Sequence, residues 1–247
     1  MPLMDQIERE GNWLFQRRSF LPFVLLVPAL LALGQFDYLA GEHRWQEYWA
    51  TFCLGVSLSG LAIRALVVGY APRRTSGRNT WSGQIADELN TTGLYSLVRN
   101  PLYLGNFIIW LGITLFFLIW WLTLIVCLVY WLYYERIIVA EERFLSRKFG
   151  TAYTDWARQT PAFFPQLRGW KHPALSFSVR NVLRREYTGF FGIIAAFFGL
   201  EIVEHLAVEH ELYFELHWAV LFAVGAILFL VLRSLKKSTR CLETPGR

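Results

Sequence analysis

Charge is what this sequence has least of. Only 17% of its 247 residues are Asp, Glu, Lys or Arg, against about a quarter in an ordinary soluble domain, while 55% are hydrophobic. So little charge cannot dress the surface of a water-soluble fold, and an integral membrane protein is implied. Cysteine is scarce too. Cys53, Cys127 and Cys241 form neither a disulfide framework nor a metal-binding spacing. The first two lie inside apolar runs, where Cys packs as a small hydrophobe, and Cys241 stands too far from the C-terminus for a prenylation box. Internal repeats, low-complexity tracts and a second soluble domain are absent. Lys and Arg outnumber Asp and Glu by 24 to 19, but they gather in loops between apolar runs, where membrane topology accounts for them. No nucleic-acid partner is implied.

What the sequence has in quantity is apolar runs with aromatic ends. Aromatics make up 17% of the chain, 11 of them Trp, and many fall where interfacial belts form. Phe20–Ala40, Glu47–Tyr70, Pro101–Ile119, Trp121–Val139, Tyr187–Leu206 and Phe214–Leu232 read as spans, because about 20 helical residues cross a hydrocarbon core. The fold class expected is all-α, a polytopic transmembrane helical bundle of six spans with a tight hairpin at Trp120-Trp121. Residues 1–19 mix Leu, Trp and Phe with Asp, Glu and Arg and suit an interfacial helix lying on the membrane. The divisions that follow are 1–19 as that helix, 20–70 as two spans, 71–166 as a core, and 167–247 as a basic segment with two further spans and a tail. Lys and Arg are frequent at 71–100, 140–186 and both termini, and absent from Glu186 to Leu232. Both termini are therefore expected on the cytoplasmic side.

Chemically capable residues sit at both ends of the third-to-fourth span hairpin. Gly93-Leu94-Tyr95 and Arg99-Asn100-Pro101-Leu102-Tyr103-Leu104-Gly105 precede it, and Arg136, Glu141 and Glu142 close it. Singly, each has a bland reading: a topological anchor, an interfacial aromatic, a solvated helix end. Together they form a candidate site, because the hairpin returns Glu141 and Glu142 to the face that holds Arg99 and Tyr103.

The order of these motifs resembles the integral-membrane methyltransferases that include isoprenylcysteine carboxyl methyltransferase and phospholipid N-methyltransferases. Phe149-Gly150-Thr151-Ala152-Tyr153 and the later Pro161 and Pro165 fit the same pattern, so the resemblance covers residues 80–166 and makes 71–166 the methyltransferase core. Asn100 departs from it: the family usually has His there, and Asn cannot titrate near neutrality. The resemblance implies S-adenosylmethionine as cofactor, in a cytoplasmic pocket lined by Leu89, Asn90, Tyr95, Asn100, Pro101, Leu102, Tyr103 and Glu141. Thr80, Asp87 and Glu88 are further candidates from the upstream loop. Arg99, Arg136 and Glu142 are the residues expected to serve the reaction, with Arg136 as the substrate-binding Arg and Arg143 its substitute. A membrane lipid or lipidated substrate is the implied partner, and a bacterial inner membrane the implied location.

An obvious amine-binding aromatic cage is lacking. Together with Arg99, Arg136 and Arg143 this favours an anionic oxygen acceptor, a lipid phosphate or a prenylcysteine-like carboxylate. The alternatives are a phospholipid amine N-methyltransferase and a non-catalytic relative that binds lipid or a partner. A transporter would need polar groups within several spans, and Arg64 is nearly alone there. Arg64 reads as either a functional charge or a side chain snorkelling to the interface, with snorkelling preferred. Arg73, Arg74, Arg78, Arg168, Lys171, Arg180, Arg184 and Arg185 read as topological charges that touch anionic headgroups, or as receivers of a substrate phosphate. Glu201, Glu204, His205, Glu209, His210, Glu211, Glu215 and His217 have metal-ligating chemistry, but an acidic non-cytoplasmic loop is the reading preferred, and no metal is assigned.

Overall fold

The computed structural model describes residues 2–17, 24–72, 75 and 86–244. Thr80, Arg73, Arg74, Arg78 and the start of the first expected span lie outside the described residues. Among the described residues eight α-helices and three short 3-10 turns follow one another, with no strand: α1 (Leu3–Arg17), α2 (Leu26–Ala32), α3 (His43–Tyr70), α4 (Pro101–Leu115), α5 (Trp120–Phe149), α6 (Thr151–Gln159), α7 (Val179–Val208) and α8 (Leu216–Ser238). The protein is an all-α helical bundle.

Four of these helices, α3, α5, α7 and α8, are long and apolar enough to cross a membrane. Their outer faces carry exposed Phe52, Leu124, Leu128, Leu132, Val220, Val224 and Ile227. Such continuous apolar surface is stable against lipid and not against water. Helix length does not give the other two expected spans. At 1.5 Å per residue α4 is about 22 Å long, short of a roughly 30 Å hydrocarbon core. The first, described from residue 24, holds the seven-residue α2, which carries Pro28 in its first turn and passes into a 3-10 turn containing Gly34.

The hairpin falls where the sequence places it. Pro101 opens α4 at its first turn, where a missing N–H costs nothing. Residues 116–119 then reverse the chain through a positive φ of 56° at Leu118, and α5 starts at Trp120. Gly150, at φ 55° and ψ −127°, ends α5 and begins α6 in a conformation open essentially to glycine alone. Ser178 caps α7, accepting from Asn181 N, and Asn181 Nδ2 donates to Val68 O at 2.7 Å, which ties the start of α7 to the end of α3.

Helices α3 and α4 pack closely, and glycine makes this possible. A Cβ on Gly105 would stand 2.7 Å from Arg64 Cγ and 2.8 Å from Gly60 O, and one on Gly112 would overlap Ser57 Oγ. Small residues let helix backbones approach where no hydrophobic drive exists between them. Gly105→Ala is therefore expected to lower stability by about 1–3 kcal/mol, read as a lower midpoint of thermal unfolding in detergent. Gly55→Ala, with nothing within 4 Å of its Cβ, should not lower it; equal losses at both positions would refute this packing account.

Helix α1 does not lie free. Its Gly11 meets the Arg136 carbonyl, and an arginine face of α5 grips its carboxylates: Arg136 Nε donates to Glu10 at 2.9 Å, and Arg143 Nη1 donates to Asp5 at 3.0 Å and Glu8 at 2.6 Å. The Arg143 hydrogen bond is the main reason the Glu8 carboxyl titrates below its ordinary range. The acidic loop expected near residue 201 is also corrected. Glu201, Glu204 and His205 belong to α7 and are buried, because α7 continues to Val208.

Candidate functional site

A cavity of about 340 Å³ opens where the end of α3, the start of α4, the second half of α5 and the start of α7 come together. That volume is in the range of small-molecule sites. The polar segment before α4 supplies one wall, folded against residues 159–173. Trp156 Nε1 donates to Tyr95 O at 3.2 Å, Arg99 N to Pro161 O at 2.8 Å and Asn100 Nδ2 to Ala162 O at 2.9 Å. Gly93 N donates to Lys171 O at 2.9 Å, and Lys171 N to Ser96 Oγ at 3.0 Å. Asn100 thus uses its amide to hold the proline-containing segment in place, a donor role that needs no titratable group.

Most of the expected residues meet here. Leu89, Asn90, Tyr95, Asn100, Leu102, Tyr103 and Glu141 line the cavity, as do Arg99 and Glu142. Pro101 is fully buried at the head of α4 and lies outside the lining. Arg99 Nη1 stands 2.8 Å from Glu142 Oε1, both side chains mostly shielded from solvent. Burial, and next the Glu142 charge, raise the Tyr153 phenol above its usual value. Burial and then Glu141 do the same to Tyr95. Both hydroxyls are neutral donors at physiological pH.

Arg136 lies elsewhere. Tyr134, Glu141 and Leu145 reach the cavity, whereas Arg136 is engaged by Glu10 of α1. At 100° per residue Arg136 points to the side of α5 opposite Glu141 and Leu145, and Arg143 and Arg147 share its side. The arginines expected to receive a substrate instead hold the N-terminal helix.

Other residues take part that the sequence reading did not place. Arg64 lines the inner end of the cavity; it does not reach outward. Its Nε and Nη2 donate to the two oxygens of Glu186 at 2.8 and 3.0 Å, and Nη1 donates to Asn106 Oδ1 at 2.6 Å. One guanidinium thus joins α3, α4 and α7, a bidentate geometry suited to a shielded pair. The signal was a charge inside a span; its partner, 122 residues away, had none. Aromatics are also gathered that no window shows together. Phe15 from α1, Tyr134 and Phe144 from α5, and Tyr153 and Trp156 from α6 join Tyr95 and Tyr103 around the cavity. Tyr134 packs on Tyr103 at 4.7 Å and stacks on Tyr130 at 4.1 Å, while Tyr130 Oη donates to Tyr103 O at 2.7 Å.

A family model and three known proteins match parts of the chain. Residues 50–152 match the family model described as phospholipid methyltransferase. The nickel-cobalt-cadmium resistance protein NccN of Alcaligenes xylosoxydans xylosoxydans is 37% identical over 134 residues, covering 52% of this chain and 58% of that protein. The cobalt-zinc-cadmium resistance protein CzcN of Cupriavidus metallidurans is 34% identical over 131 residues, covering 52% and 57%. The protein-S-isoprenylcysteine O-methyltransferase of Schizosaccharomyces pombe is 35% identical over 77 residues, covering 31% and 33%. The chain thus spans somewhat over half the length of the two bacterial relatives. No solved structure matches it. Residues 50–152, which hold α4, α5 and the motifs at both ends of the hairpin, are the part of the chain that is similar to the phospholipid methyltransferase family.

Proposed function

We propose that the protein transfers a methyl group from S-adenosylmethionine to a membrane-embedded acceptor. The observation that carries this reading is the convergence of the motifs from both ends of the hairpin on one cavity, with carboxylates and aromatic faces side by side. The donor set fits the cofactor. Glu88, Glu141 and Glu142 suit an ammonium and ribose hydroxyls, and the faces of Tyr95, Tyr103 and Tyr134 suit a sulfonium. When bound, the cofactor supplies a methyl group on a positively charged sulfur, ready for in-line displacement. The chain's part is to align the two reactants and exclude water, which can supply several kcal/mol of the barrier reduction. Arg99, held by Glu142, fixes the polar wall, and the neutral Tyr95 and Tyr153 hydroxyls offer hydrogen bonds.

The acceptor we favour is an anionic oxygen borne by a lipid, a phosphate or carboxylate. Such an oxygen would be nucleophilic without losing a proton, so no residue of the chain would have to act as a general base. Arg99 and Arg185 in the cavity lining support this choice. Arg136 and Arg143, ion-paired to α1, do not. We further propose that the cavity and both termini face the cytoplasm, since Arg99, Lys171 and Arg185 of the basic loops lie at the cavity end of the bundle.

The test uses methyl-labelled cofactor with membranes containing the protein, following label into lipid and protein fractions and then through mild base. Label in lipid that survives base indicates a phosphate or amine acceptor, and label released as methanol indicates a carboxyl ester. Label in neither fraction would leave a binding role and remove the catalytic one.

A further inference from the structure

At the other end of the bundle a second cluster stands apart from the cavity. His43 opens α3 and Arg64 lies 21 residues on, about 30 Å along the helix. Facing His43 on α7 are Glu201, Glu204 and His205, whose three- and four-residue spacings put them on one helix face. One ligand-capable atom from each of the four falls within 4.8 Å of all the others. Glu201, Glu204 and His205 are 0%, 1% and 2% exposed.

Four polar atoms here make no hydrogen bond: His43 Nε2, His205 Nε2, Glu201 Oε2 and Glu204 Oε1. Leaving these nitrogens and oxygens without a hydrogen bond, on side chains of which three are almost fully buried, costs more than a fold gains by gathering them. We infer that His43, Glu201, Glu204 and His205 form a binding site for one divalent transition-metal ion.

Distances support the inference. Tetrahedral ligands about 2.1 Å from a common centre lie about 3.4 Å apart. His43 Nε2 is 3.5 Å from Glu204 Oε1, and His205 Nε2 is 3.4 Å from Glu201 Oε1. Charge balances as well, since two carboxylates and two neutral imidazoles leave no net charge around a dication.

The surrounding groups orient the ligands as metal sites require. His205 Nδ1 lies 3.1 Å from Glu209 Oε2 and 3.3 Å from Tyr38 Oη, while Tyr38 Oη donates to Glu209 Oε1 at 3.0 Å. With Nδ1 facing the Glu209 carboxylate, the proton sits on Nδ1 and the Nε2 lone pair is directed at the cluster. Gln46 Nε2 donates to Glu204 Oε2 at 3.2 Å and to Phe116 O at 3.3 Å, which turns the unpartnered Oε1 toward His43. Two imidazoles with two carboxylates select a first-row ion of the zinc or cobalt kind over the all-oxygen preference of magnesium and calcium.

The test titrates chelator-stripped full-length protein in detergent with Co²⁺, read by visible absorption, with stoichiometry from elemental analysis. We expect one ion per chain with the intense absorption of four-coordinate cobalt, displaced by Zn²⁺. His205→Gln and Glu204→Gln should abolish it. His43→Gln, at a side chain 25% exposed and therefore tolerant of change, should weaken binding at least about tenfold, since even outer partners of metal ligands are worth that much. His172→Gln, on the cavity side, should leave binding unchanged. An octahedral aqua-like spectrum, binding equal in wild type and His43→Gln, or binding lost only in His217→Gln would overturn the assignment. The last result would move the ion to the exposed Glu47, Glu215 and His217 group.

Discussion

Arg64→Leu is expected to cost about 3–5 kcal/mol of stability, the scale for removing one partner of a buried ion pair. The variant leaves Glu186, 6% exposed, with its charge and no guanidinium, and strips the Asn106 carbonyl of its donor. Breaking the pair also loosens three helices at once, because α3, α4 and α7 meet at that side chain. The prediction is read as a large drop in the midpoint of thermal unfolding in detergent, with loss of cofactor binding in the variant that remains folded. Arg64→Leu/Glu186→Leu separates two explanations. Replacing both charges with apolar groups of similar volume is often neutral for stability, so the double variant should regain most of the midpoint. It should not regain binding, since the inner end of the cavity would have become apolar. A double variant as unstable as the single one would mean that geometry, not the orphaned charge, sets the cost; an unaffected single variant would sink the account.

Residues 93–153 were legible in the sequence because their information is local. Pro101 at a helix start, a reversal at Trp120 and Gly150 between two helices each act within a turn, and the hairpin then delivers Glu141 and Glu142 to Arg99 without any long-range prediction. Partners outside that stretch were not legible. Nothing in the periodicity of α3 points to Glu186, and nothing in residues 3–17 says that Phe15 reaches the cavity. Arg136 shows a different kind of miss. Proximity in sequence to the Glu pair suggested a shared site, but five residues along a helix is about 500°, which sends the two to opposite sides. Arg136, Arg143 and Arg147 repeat at spacings of seven and four, and that repeat marks an interaction face in the sequence itself. Glu201, Glu204 and His205 were visible as a spacing but not as a buried one, because the length of α7 decides whether they sit in a loop or a core. The aromatic wall was invisible because it is assembled from the short turn before α4 and from four helices.

The second large effect falls on Glu142. Glu142→Gln keeps the shape of the side chain and removes the charge that faces Arg99 Nη1 at 2.8 Å. Arg99 loses its ion-pair partner among the described residues, and its Nε already makes no hydrogen bond. A guanidinium freed to adopt other rotamers no longer defines the polar wall, and in the proposed methyl transfer small misplacements would be costly, because alignment would be the chain's main contribution. The expected fall in kcat/KM is about 100-fold, or about 2.7 kcal/mol of transition-state stabilisation. Stability should change much less, since the two side chains retain 19% and 29% exposure and water moderates the loss. Arg99→Gln should produce a similar fall, and the double variant should be no worse than either single one, because each has already broken the same pair. Additive losses would mean that Arg99 and Glu142 act on different partners, one on cofactor and one on acceptor. Wild-type activity in both single variants, with a lowered unfolding midpoint, would reduce the pair to a strut between α5 and the Arg99 segment and remove it from the reaction.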